Sequence, residues 1–254
     1  MVSHPTITIF RGFPNAGRYT WSPFVTKLEA RFRFANITYR VETGSIPKAP
    51  RGKVPYVTID DGESAAQTLA DSTLITNALI ESGWINDLNN RRSPIEKLQD
   101  VALKALLEDK LAFYQMYERW VLNYYTMRST ILAALPWPVQ TLVGLLIYRK
   151  VIRNLQGQGT LNFKHEEIAF FRRDIWEHIN GLVAVAHAKH AGRKGPFWVW
   201  GGSTPTEVDA VVFGFIVSGL VCDAYVSAPA LMVHVVLTVA ERRRPARLFA
   251  AILL

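Results

Sequence analysis

A proline that opens a β-strand constrains this chain more than any other single residue. In Lys53-Val54-Pro55-Tyr56-Val57 apolar residues flank Pro55, and the run on to Ile59 has strand character. Proline removes a ladder donor, so it is confined to strand starts and edges or is kept as a cis peptide in a tight turn. Two readings therefore fit Pro55: a trans proline beginning an edge strand, or a cis Val54–Pro55 bond that turns the backbone of Val54 outward, where an extended peptide could pair with it as an added strand.

The elements around Pro55 change type quickly. Ile7 to Phe10 reads as a strand and Pro23 to Phe34 as a helix with Phe24, Leu28 and Phe32 on one face; Thr38 to Val41 reads as a second strand. Asp60-Asp61-Gly62 is a hairpin signal leading to a short strand at Gln67 to Leu69, and Ser72 to Ser82 reads as a helix. The order β-α-β, connector, β-β-α is that of a thioredoxin-like domain, placed at residues 1–85. A polar linker follows at 86–94, in which Ser93-Pro94-Ile95-Glu96 has the residues of a capping box. From there the 3.6-residue period dominates, with helices expected at Pro94–Tyr125, Pro138–Arg153, His165–Lys189, Glu207–Cys222 and Ala230–Arg243. The fold class is thus α+β, with an all-helical unit at 95–254 after the thioredoxin-like one.

Composition narrows the chemistry. The single cysteine, Cys222, excludes a disulfide framework and dithiol exchange, and fits a reducing compartment such as the cytoplasm. A net charge of +8 favours anionic partners. Neither aromatic platforms nor metal-finger spacings support nucleic acid, and no metal is expected. His187 and His190 have ligand-like spacing without an acidic or cysteine partner, and His234 reads as a core or interface residue. No secretory signal is read at Met1 to Thr8. Proline and glutamine interrupt the apolar stretch Ile131–Tyr148, which suits a buried helix or one lying on a membrane surface.

Three positions carry the candidate chemistry. Ser22 before Pro23 is placed as an N-cap, and its hydroxyl could also donate to an anion in the dipole field of the helix start; capping alone is the simpler account, and Tyr19 is a rival donor. Val54 supplies the backbone edge. Asp71-Ser72 opens a helix, where Ser72 and its N–H suit a carboxylate and Asp71 an ammonium group. Lys53, Lys48 and Arg51 are basic residues near the same loop. Tyr114, Tyr117 and Trp120 follow helical spacing, which fits either core packing or an apolar pocket.

Taken together, Thr20-Trp21-Ser22-Pro23-Phe24 with Lys27-Leu28-Glu29, Lys53-Val54-Pro55-Tyr56-Val57 and Asp71-Ser72-Thr73-Leu74-Ile75 resemble the N-terminal domain of glutathione transferases. The sequence most resembles the failed-axon-connections and metaxin-like branch. Tyr117-Glu118-Arg119-Trp120-Val121, Gly157-Gln158-Gly159 and Pro205-Thr206-Glu207-Val208-Asp209 extend that likeness into the helical part, Thr206 and Asp209 matching a buried helix cap. The resemblance implies a transferase joining glutathione, as co-substrate, to a small apolar electrophile. It gives Ser22 the thiol-activating position, Lys53, Val54, Pro55, Asp71 and Ser72 the glutathione contacts, and Tyr114, Tyr117 and Trp120 the electrophile pocket. Relatives in that branch include detoxifying enzymes and non-catalytic adaptors, so a silent glutathione-binding or protein-interaction member is the alternative. The resemblance also leaves room for a homodimer and for peripheral membrane contact. Val25 departs from the branch, which often has Cys there, and so does the basic tail Arg242–Arg247.

Overall fold

The structure, a computed structural model, describes residues 5–13, 17–62, 65–192 and 195–232. Four strands, β1 (Thr6–Phe10), β2 (Tyr39–Glu42), β3 (Tyr56–Asp60) and β4 (Gln67–Ala70), form a mixed sheet in the order β2-β1-β3-β4. β2 runs parallel to β1, which the intervening helix α1 (Pro23–Phe34) makes possible, and the other pairs are antiparallel, with Ile9 opposite Val57 and Tyr56 opposite Ala70. The period-2 pattern puts Ile7, Ile9, Val57 and Ile59 on one face, against Leu28 and Phe32 of α1 and Ile75 and Leu79 of α2 (Ser72–Glu81). This is the thioredoxin-like half read from the sequence.

Beyond residue 93 the described residues form helices joined by loops, with no strand among them. Ser93 starts α3 (Pro94–Ala105) with the expected box: its hydroxyl accepts the Glu96 N–H at 3.3 Å, and the Glu96 carboxylate accepts the Ser93 N–H at 2.8 Å. The long helix expected to run to Tyr125 is interrupted. A π-helical turn at Leu106–Leu111 leads into α4 (Ala112–Tyr117), and a second at Glu118–Leu122 ends at Asn123, after which α5 (Tyr124–Ile131) begins. Each π turn shifts the side-chain register, which 3.6-residue periodicity does not anticipate. α6 (Trp137–Gly157), α7 (His165–His190), α8 (Glu207–Leu220) and the short α9 (Ala228–Leu231) complete the described fold. Cys222 falls just past the end of α8 rather than in it, and its burial raises the thiol pKa. His234, the rest of the expected last helix and Arg242–Arg247 lie outside the described residues.

The most extensive contact between any two elements is α1 against α8. Ala30 of α1 meets Ala210, Phe213 and Val217 of α8, and Gly214 sits over the first turn of α1. A Cβ at position 214 would lie 2.5 Å from the Pro23 carbonyl oxygen and 2.9 Å from the Lys27 nitrogen. With sheet and α2 on one side and α8 on the other, α1 buries even its charges, and each buried charge finds a partner. Arg11 pairs with Glu29 at 2.9 Å, Lys27 with Glu108 at 2.6 Å, and the Arg31 Nε–H contacts both Glu207 oxygens at 2.8 and 2.9 Å. Burial pulls the Lys27 pKa below its ordinary value even with the Glu108 carboxylate in contact.

α8 is anchored at its start, where the sequence places the Thr206–Asp209 cap. One Asp209 oxygen accepts the Thr206 N–H at 2.7 Å and the Thr206 hydroxyl at 2.9 Å, and the other accepts the Val199 N–H at 2.6 Å. Burial nevertheless pushes the Asp209 pKa up to about 6, the hydrogen bonds from Val199 and Thr206 opposing it.

Gly214→Ala should destabilise the protein by about 1–3 kcal/mol in chemical denaturation, because the clash with fixed backbone outweighs the roughly 1 kcal/mol that alanine gains in a helix. For Asp209 the folded pKa lies above the unfolded one, so its contribution to stability is complete below about pH 4 and is lost as pH rises through about 6. The stability gap between the parent and Asp209→Asn, measured by urea unfolding at a series of pH values, should therefore narrow from pH 4 to pH 7. The shift corresponds to about 3 kcal/mol as an upper bound.

Candidate functional site

The start of α1 opens onto a cleft of about 240 Å³. One wall is the segment before α1 with its first turn, Gly12, Phe13, Trp21, Ser22, Pro23 and Phe24, together with Ile46 and Val54. The opposite wall comes from the helical half: Ala112, Gln115, Met116, Arg119 and Trp120, then Met127 and Ile131 of α5. The cleft is therefore mostly apolar, with a hydroxyl and a backbone edge on one side.

Ser22 is the N-cap of α1, with extended backbone (φ −92°, ψ 115°) and Pro23 at the first helical position. Its Oγ accepts the Val25 N–H at 3.4 Å, which leaves the hydroxyl proton to donate elsewhere. The cap and the donor are thus compatible at one residue. The first turn of α1 carries no acidic residue, so no side-chain carboxylate there neutralises the positive end of the helix dipole. Tyr19, the rival hydroxyl, does not line the cleft. Its ring lies edge-on to Phe213 of α8 at 5.7 Å, and an Arg33 N–H donates to its oxygen at 3.4 Å.

Val54 lies in the same cleft as Ser22, and the Val54–Pro55 peptide is cis. Gly12, at φ +74°, passes close beneath it: a Cβ there would sit 3.2 Å from both Val54 methyl groups. Val54 forms no backbone hydrogen bond to a described residue. Pro55 is buried, and its carbonyl accepts the Asp71 N–H at 3.4 Å, which ties the start of α2 to the cis peptide.

Asp71 has φ 84° and ψ 122°, a conformation that non-glycine residues rarely adopt and that clusters at binding sites. Its Oδ1 accepts the Thr73 N–H at 2.9 Å and the Leu74 N–H at 3.3 Å. Ser72 is buried, and its N–H makes no hydrogen bond to a described residue. Asp71 and Ser72 do not line the cleft itself. They stand beyond Pro55, joined to it by the bond to the Pro55 carbonyl. Lys53, Lys48 and Arg51 are exposed on the loop before β3.

Of the three aromatic residues expected in an apolar pocket, only Trp120 lines the cleft. Tyr114 is buried and stacks on Phe171 at 6.0 Å, and Tyr117 approaches His165 at 6.1 Å. At about 100° per residue, the face carrying Ala112, Met116 and Trp120 turns both tyrosines toward the packed interior of the helical half. The apolar lining on that wall comes instead from Met116, Met127 and Ile131.

Sequence reasoning quoted Arg119 for its likeness and missed its role. Buried in the second π turn, its guanidinium donates to the Trp21 carbonyl at 2.7 Å and the Ser218 carbonyl at 3.4 Å, and lies 5.5 Å over the Tyr225 ring. The first of these bonds fixes the peptide immediately before Ser22. Its neighbour Glu118 pairs with Arg172 at 2.6 Å and accepts the Ser227 N–H at 2.9 Å and hydroxyl at 2.8 Å. Two adjacent charges, Glu118-Arg119, inside an otherwise apolar helical run were the available signal.

Among the described residues no group of three or more His, Cys, Asp or Glu side chains is placed to hold a metal ion. His187 and His190 pack against Phe197 at 5.2 and 6.5 Å.

Residues 23–127 match the family model of the glutathione S-transferase N-terminal domain. Among solved structures, the chain is similar to glutathione transferase GSTFuA2 from Phanerochaete chrysosporium, with 14% identity, a TM-score of 0.56, and 89% of this chain and 91% of that chain covered. It is also similar to a glutathione transferase family member from Pseudomonas fluorescens pf-5, crystallised with two glutathione bound, with 11% identity, a TM-score of 0.53, and 97% and 92% covered. The domain match over residues 23–127 and the fold shared with these two structures point the same way.

Proposed function

We propose that the protein binds glutathione along Val54 and transfers it to a small apolar electrophile in the adjoining cleft, with Ser22 stabilising the thiolate. The observation that carries this reading is the shared position of Ser22 and Val54: a hydroxyl at a helix N-terminus lines the same cleft as a residue whose backbone is unpaired among the described residues. The tripeptide would pair its cysteinyl backbone with Val54 beside the cis Pro55. Its γ-glutamyl carboxylate would take the Ser72 N–H and hydroxyl, and its ammonium group would take Asp71. Lys53 is the nearest candidate for the glycyl carboxylate.

In this geometry the thiol loses its proton to solvent. The Ser22 O–H and the positive end of α1 favour the resulting thiolate. The sulfur lone pair then forms the carbon–sulfur bond, and the electrons displaced from the electrophilic carbon leave with its leaving group or pass to a conjugated acceptor. Trp120, Met116, Met127, Ile131 and Phe24 provide apolar contact for that co-substrate. Within the family, the motifs around Ser22, Pro55 and Thr206 favour the failed-axon-connections and metaxin-like branch.

Ser22→Ala should lower turnover about 100- to 1,000-fold with a model electrophile, with little change in glutathione affinity, because a single donor to a catalytic anion is typically worth about 2.7–4 kcal/mol. Tyr19→Phe should leave turnover unchanged. The assignment fails if Tyr19→Phe abolishes activity while Ser22→Ala retains it. A parent protein that binds glutathione but conjugates nothing would point to the carrier reading. Arg119→Met removes the donor that holds Trp21, and should cost about 1–3 kcal/mol in urea unfolding and lower turnover as well.

A further inference from the structure

α6 presents one face that the fold does not use. Its buried side, Gly144, Val151 and Leu155, packs inward, and Gly144 leaves room for Arg128 and Tyr124 of α5. The opposite side carries Leu142 at 61% exposure and Leu146 at 55%, with Val139 and Leu145 also exposed. Further along the same exposed side come Arg149, Lys150 and Arg153. None of these cations is ion-paired with a described residue, and the 21-residue helix contains no Asp or Glu.

We propose that this face docks the protein on an anionic lipid surface, with α6 lying in the plane of the interface. A surface-seated helix needs apolar side chains to enter the headgroup–acyl boundary and cations to meet acidic headgroups; α6 exposes both, with Lys150 at the edge of the apolar face. Arg149 and Arg153 follow Leu142 and Leu146 on that face, and their long side chains can bend from it to headgroup level while the leucines are immersed. The net charge of +8 adds long-range attraction to an acidic surface. Docking is peripheral, since no helix among the described residues is long and apolar enough to cross a membrane. A second copy of the chain fits the face less well: laid antiparallel, each helix would set its cations against the other's leucines and leave charge buried without a partner.

The test is co-sedimentation of the full-length protein with vesicles of phosphatidylcholine plus phosphatidylserine, and with vesicles of phosphatidylcholine alone. Binding is expected to the first, weakening as salt is raised. The double variant Leu142→Glu with Leu146→Glu should bind about ten-fold or more weakly. The triple variant Arg149→Gln, Lys150→Gln and Arg153→Gln should bind about a hundred-fold more weakly. Both variants should keep the parent's melting temperature, because the positions are exposed. The proposal is overturned by any of four outcomes. These are a parent that binds neither vesicle, a parent that binds both equally, a leucine variant that binds like the parent, and a leucine variant that melts lower or changes oligomeric state, which would mean that protein covers the face.

Discussion

Helix α8 can lie on the first turn of α1 because position 214 has no side chain. The Pro23 carbonyl occupies the space a Cβ would need, so the two backbones meet at the turn that Ser22 caps. Buried ion pairs then fix the orientation of the contact. Arg31 reaches Glu207 at the start of α8, and Lys27 reaches Glu108 in the first π turn. Charges so enclosed tolerate few alternative arrangements, because breaking one pair strands its partner in a poorly solvated site. The start of α8 is held in turn by Asp209, and by Asp100 of α3, which accepts the Val208 N–H at 3.1 Å, the Asn89 amide at 2.8 Å and the Trp200 indole at 3.1 Å. The helical half is thus a mould against which the end of α1 is set.

A second hold acts on the same turn from the far side of the cleft. Arg119 grips the Trp21 carbonyl, and its own position depends on the π turn that brings it inward. Around it Tyr225 is fully enclosed, accepts the Trp176 indole N–H at 2.8 Å and has its pKa pushed up to about 12 by burial. Ser22 is therefore placed by α8 on one side and by Arg119 on the other. A hydroxyl positioned in this way reorganises little when charge develops beside it, which is where electrostatic stabilisation gains its strength.

Features governed by local rules were legible in the sequence. The Ser93–Glu96 and Thr206–Asp209 boxes, Ser22 before Pro23, and the strand led by Pro55 each depend on neighbours within a few residues, and each is found where the sequence placed it. Features that depend on distant neighbours were not. The π turns answer to what packs around residues 106–122, and of the residues the resemblance put in an electrophile pocket, Tyr114 and Tyr117 do not line the cleft. Gly214 looks like an incidental glycine in an apolar helix until α1 is laid across it. Asp71 could be read as a cap, and it is one, but its positive φ was not visible in a dipeptide so ordinary at a helix start.

The central claim is that Ser22 and the N-terminus of α1 stabilise a thiolate. It is tested most directly by ultraviolet absorbance titration of glutathione bound to the protein, read as the growth of the thiolate band with pH. The account predicts a bound-thiol pKa clearly below the value of about 8.5 for a free thiol, returning toward it in Ser22→Ala. Bound glutathione that titrates like the free tripeptide, or a depressed pKa that survives unchanged in Ser22→Ala, would contradict it.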